Sequence, residues 1–205
     1  MLVGEGMVTT LEKRLQTEVG ATMKRLLPLS KALPPKPSVA LIPDENPHYW
    51  DGVLYIPKWI VEDPTVDKVY KIGKAACLPL LYHGNVHLQH MFRDIEMPEY
   101  RFWSQLSMTY AGLLSLLYQQ DKHAANRKAE ICRRHVKEIK PVYLHSSVDE
   151  FAEYAAFVGI DYAAQLYQKH GDKKFADVLG IHNVFEVHDL VVVNESFTSF
   201  IAKDW

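Results

Sequence analysis

Polar and apolar positions alternate along most of this chain with a helical period. In "TTLEKRLQTEVGATMKRLL" the apolar residues Leu11, Leu15, Val19, Met23 and Leu26 recur every three or four positions, which predicts an amphipathic first helix. Thr9 and Glu12 have the spacing of a capping box at its start. Pro28, Pro34, Pro35 and Pro37 then make "PLSKALPPKP" a stiff linker. The short runs "SVALIP" and "GVLYIP", bounded by turn residues, predict two strands of a small sheet. From Asp63-Pro64 to Asp94 the pattern is helical again. Pro79 lacks an N–H and clashes with the preceding turn, so it should start a new helix near Leu78 or kink the old one. "PEYRFWSQLSMTYAGLLSLLYQQ" is apolar nearly all round and predicts a central helix, whereas "AANRKAEICRRHVKEI" predicts an exposed one. A further helix should run from Val148 to about His170. The last segment, "HNVFEVHDLVVVNESFTSFIAKDW", fits strand and helix equally.

Two short strands ahead of four or five helices, without βαβ alternation, predict an α+β fold. It is mainly helical, with a small N-terminal sheet packed on a helical body. With 205 residues, 48% of them hydrophobic, one core is the expectation. The single domain 1–205 divides into an N-terminal helix and linker (1–37), a sheet with a histidine-bearing helix (38–94) and a helical body (95–205). A net charge of −2 offers no broad basic surface for a phosphate backbone, which argues against nucleic acid. Two cysteines, Cys77 and Cys132, make neither a disulfide framework nor a CxxC pair, and a reducing compartment fits them. The start "MLVGEGMVTT" lacks the features of a signal peptide, and no apolar run is long enough to span a bilayer. These features together predict a cytoplasmic protein without a membrane partner.

The chemistry concentrates in "CLPLLYHGNVHLQHMFRD". His83 and His87 stand one helical turn apart, so both imidazoles can reach one zinc ion, which takes nitrogen ligands at about 2.0 to 2.1 Å. His90 is a poorer third ligand, because it lies about 10 Å along the helix axis from His83. A mononuclear site needs its third ligand from another element.

Two strands followed by a helix carrying His-x-x-x-His resemble the N-terminal half of the zincin metallopeptidase superfamily, whose helix reads His-Glu-x-x-His. Here the frame reads "HGNVH", with Gly84 at the position of the general base. Downstream, "YLHSSVDEFAEYAAF" resembles the segment of the Glu-type, lethal factor-like zincins that supplies the third zinc ligand and a substrate-binding tyrosine. The resemblance implies Glu150 as third ligand, Tyr143 as hydrogen-bond donor to the transition state, and Glu153 as a neighbouring or alternative carboxylate. It implies zinc as cofactor and a peptide or protein as substrate or partner. Loss of the Glu removes acid–base assistance worth about 10² to 10⁴ in rate, so the expected protein is a degenerate metallopeptidase with weak or no hydrolysis.

The residues also admit a second, non-enzymatic interpretation: a binding or structural helical protein whose histidines belong to its core or an interface. Glu150 then closes a capping box with Ser147. Tyr143 packs its ring, and Phe151, Tyr154, Ala155, Val158 and Tyr162 form the buried stripe of a helix.

Overall fold

A computed structural model describes residues 10–30, 34–43, 46–84, 98–139 and 148–180. Helix α1 (Thr10–Leu26) ends in a single 3₁₀ turn (Leu27–Leu29) containing the first proline of the linker. Leu15, Val19, Met23 and Leu26 are buried, and Leu11 packs at the margin of the core. Thr9 of the expected capping box lies outside the described residues.

The sheet has three strands rather than two: β1 (Ser38–Ile42), β2 (His48–Trp50) and β3 (Val53–Pro57). Their spatial order is β1-β3-β2, with β1 parallel and β2 antiparallel to the central β3. The missing strand was hidden inside "YWDGVLYIP". Asp51 and Gly52 form a two-residue hairpin loop with both φ angles positive, +47° and +77°, as a primed turn requires. What looks like one strand is therefore split between two.

Helix α2 (Lys58–Val61) is a single turn, and α3 runs from Asp67 to Gly84. Pro79 neither starts a helix nor ends one. The helix passes through it and leaves the Ala75 carbonyl without its usual donor. Such a proline costs about 3 kcal/mol. Ala75, Ala76, Cys77, Leu78, Leu80 and Leu81 are all at most 4% exposed, and burial of that continuous stretch outweighs the lost bond.

The helical body is completed by α4 (Pro98–Gln119), α5 (Lys122–Ile139), α6 (Val148–His170) and the short α7 (Phe175–Gly180). Helix α4 is central as its sequence predicts, packing against α1, α3, α5, α6 and α7. Helix α5 buries only the stripe Ala125, Ala129 and Cys132 among its described side chains, with most of its charges in solvent. The result is a mainly helical α+β fold whose sheet rests on α1 and α3.

Side-chain neighbours give the helix directions. Tyr70 meets Gly112 and Lys74 bonds Gln105, so α3 and α4 are antiparallel. Gly159 meets Phe102 and Tyr167 meets Tyr110, so α4 and α6 are parallel. The C-terminus of α3 and the N-termini of α4 and α6 consequently share one end of the body. No helix among the described residues is long and apolar enough to cross a membrane.

Candidate functional site

At that shared end, His83 sits in the last turn of the described α3 and Gly84 is its final residue. The Tyr49 hydroxyl on β2 and His83 Nε2 share a hydrogen bond of 3.0 Å. Tyr49, Tyr82 and His83 also meet edge to face in a three-ring cluster, with centroids 5.2 to 5.7 Å apart. Burial lowers the His83 pKa from its ordinary value and raises that of Tyr49, so at neutral pH both carry no charge. A neutral imidazole is the form that binds metal. Its Nε2 is hydrogen-bonded to the Tyr49 hydroxyl, and this pairing ties the β2 edge to α3.

Of the other implied zinc-site residues, His87 and Tyr143 lie outside the described residues. Glu150 is in the first turn of α6, at the His83 end of the body, and its side chain is outside the description. Glu153 is exposed on the same helix. Helix α4 packs against both α3 and α6. Among the described residues no three His, Cys, Asp or Glu side chains gather closely enough to hold a metal ion. Of the expected core stripe on α6, Ala155 and Val158 are buried and Tyr162 packs at the core margin, while the side chains of Phe151 and Tyr154 lie outside the described residues.

Directly below the shared end lies a cleft of about 840 Å³ between β2, α2, α3 and α4, with Ala156 of α6 at its border. This volume falls in the range of about 300 to 1,000 Å³ typical of small-molecule sites. Ile60, Ala75, Leu78 and Met108 provide apolar wall, and Trp59 and Tyr100 provide aromatic wall. Lys74 and Gln105 stand in this wall, with Lys74 Nζ donating to Gln105 Oε1 at 3.0 Å. Burial pulls the Lys74 pKa down to about 8; the nearby Cys132 sulfur works against that shift and Lys128 adds to it. Lys71, one turn earlier, also lines the cleft but pairs with Asp63 at 2.6 Å and lies over the Trp59 ring.

Sequence reasoning did not single out this cleft. One signal was available: in the stripe Tyr70, Lys74 and Leu78 on α3, a lysine occupies a position whose neighbours face the interior. The spatial partners of that lysine come from α4 and α5, which no local pattern connects to it. No family model, curated protein or solved structure matches this chain.

Proposed function

We propose that this is a ligand-binding protein whose site is the cleft between β2, α2, α3 and α4, rather than a working peptidase. The observation that carries the reading is the cleft itself. It is a hollow of ligand size with apolar and aromatic walls, into which polar groups are set, Lys74 and Gln105 among them. Hollows of this kind are where proteins orient small molecules, because apolar walls supply affinity and a few polar groups supply direction.

A neutral solvatochromic dye tests it. The dye should bind with a blue-shifted emission, and Ala156→Phe, which pushes a ring into the cleft border, should weaken binding by about tenfold or more, or about 1.4 kcal/mol. Absence of any shift, or equal binding by the variant, rejects the reading.

A second reading keeps the zincin-like metal site. The observation in its favour is topological: α3 and α6 bring the segments bearing His83 and Glu150 to one end of the body. His83, His87 and Glu150 would hold the zinc, with Tyr143 and Glu153 beside them and Gly84 in place of the base. Zinc in such a site would activate a bound water and polarise a peptide carbonyl. On this reading the protein is a degenerate metallopeptidase, and a peptide occupies the neighbourhood of the cleft.

A further inference from the structure

We infer that the cleft receives a carboxylate amphiphile, an organic anion with an apolar tail, and that the Lys74 ammonium is the group that takes its carboxylate. The inference rests on the cleft being a ligand site and adds the chemistry of the ligand.

The described lining of the cleft is richer in cationic than in anionic side chains. It includes Lys71, Lys74 and Arg101 but no aspartate or glutamate. Lys71 is matched by Asp63. Lys74 has no carboxylate partner among the described residues; its neighbours are the Gln105 carbonyl at 3.0 Å and the Tyr70 ring at 5.8 Å. Both are neutral. A cation withdrawn from water without a counter-charge is costly, and an incoming anion removes that cost.

The surrounding groups supply no substitute. On α3, Tyr70 is buried and its hydroxyl stays protonated well above its ordinary pKa. From α5, Lys128 is committed to Asp67 at 2.8 Å, and burial keeps the Cys132 thiol protonated. From α4, Arg101 lines the cleft and is engaged in a contact of its own. From β2, His48 stacks on Tyr55 with centroids 4.6 Å apart. An anion is the missing partner, and Ala75, Leu78, Ile60 and Met108 supply the wall for its tail.

The pH dependence follows from two titrations. The ligand carboxylate is charged above about pH 5. The Lys74 ammonium is charged below about 8, and a bound anion moves that limit upward. Binding should be tightest between these limits and weaken as the pH rises beyond them.

Calorimetric titration with decanoate and decanol, which share a tail and differ in charge, tests the inference. At pH 7 decanoate should bind at least about tenfold tighter than decanol. Lys74→Met should erase that preference while decanol still binds, and Lys68→Met, on the Glu18 side of α3, should retain it. The preference should shrink in the wild type above pH 9. Equal affinity for the two probes, a preference that survives in Lys74→Met, or no decanoate binding each overturns the inference. The cleft reading fails with it only where the neutral dye also fails to bind.

Discussion

His83 shows how little a residue's type decides about its use. Its spacing from His87 suits a metal, yet its Nε2 is bonded to Tyr49 and its ring is enclosed by Tyr49 and Tyr82. These two uses respond oppositely to one change. Tyr49→Phe removes a hydrogen bond worth about 1 kcal/mol of stability and releases Nε2 from its tyrosine partner. If His83 is a zinc ligand through Nε2, zinc affinity of untagged protein should rise in Tyr49→Phe and vanish in His83→Ala. Equal zinc content in wild type and both variants, measured by atomic emission, rejects the metal site. Gly84 belongs to the same question: Gly84→Glu would restore a carboxylate to the turn between the two histidines, and zinc-dependent cleavage gained by that variant would mark an eroded peptidase.

Among elements, the contact of α4 with α6 is set by backbone rather than side chains. A Cβ at Gly159 would stand 2.3 Å from the Phe102 carbonyl oxygen, and neither helix can yield that space without moving. Gly159→Ala gains about 1 kcal/mol of helix propensity but suffers overpacking at the top of the usual range, about 3 kcal/mol, because the obstacle is backbone. The net expectation is a loss of about 2 kcal/mol, or about 4 to 8 °C in Tm for a chain of this size. Gly20 in α1 is the contrast. Its nearest obstacle is the flexible end of Lys36 at 3.9 Å, so Gly20→Ala should stabilise by about 0.5 to 1 kcal/mol. Thermal unfolding followed by circular dichroism distinguishes them, and an unchanged Tm in Gly159→Ala would contradict the close approach of α4 and α6.

For the whole molecule, buried titratable groups set the response to alkali. Lys74 has its folded pKa lowered to about 8 against an ordinary value near 10.4, so between these limits the unfolded chain holds one proton more and stability tends to rise with pH. Burial raises the pKa of Cys77 and Cys132, and these act with the opposite sign. Their stabilisation is complete below the unfolded thiol value near 8.5 and is lost as the pH rises, because only the unfolded chain then releases their protons. Tyr70 and Tyr100 add the same effect above about pH 10. Cys77 and Lys74 oppose one another, Cys132 tips the sum toward loss and the tyrosines add to it, so the urea midpoint should fall above about pH 9, and more steeply above 10. Lys74→Met should deepen the fall between 8 and 10 by removing the opposing amine. A midpoint that stays level or rises from pH 9 to 10.5 would contradict the burial of these groups.

Local pattern alone determined the elements that are long and amphipathic or apolar throughout. The helix beginning at Val148 and ending at His170, the stripe from Leu15 to Leu26 on α1 and the central character of α4 were all legible, because burying a periodic apolar face is nearly sufficient to specify a helix. The same reasoning specified a mainly helical α+β molecule with a small N-terminal sheet. It failed where a local preference competes with a distant contact. Pro79 should break α3, but the core packed around its neighbours holds the helix together; Tyr49 and Trp50 run straight into β3 on paper, but a primed turn at Asp51 and Gly52 folds them back beside it. The candidate sites divide along the same line. The chain carries the spacing of His83 and His87 in one helical turn, whereas the engagement of His83 by Tyr49 across 34 positions is a tertiary outcome. The cleft around Lys74 depends on tertiary structure still more heavily. Its lysine and its glutamine come from two different helices, α3 and α4, its walls draw on α2 as well, and only their packing turns a lysine on an apolar stripe into an ammonium without a described carboxylate partner.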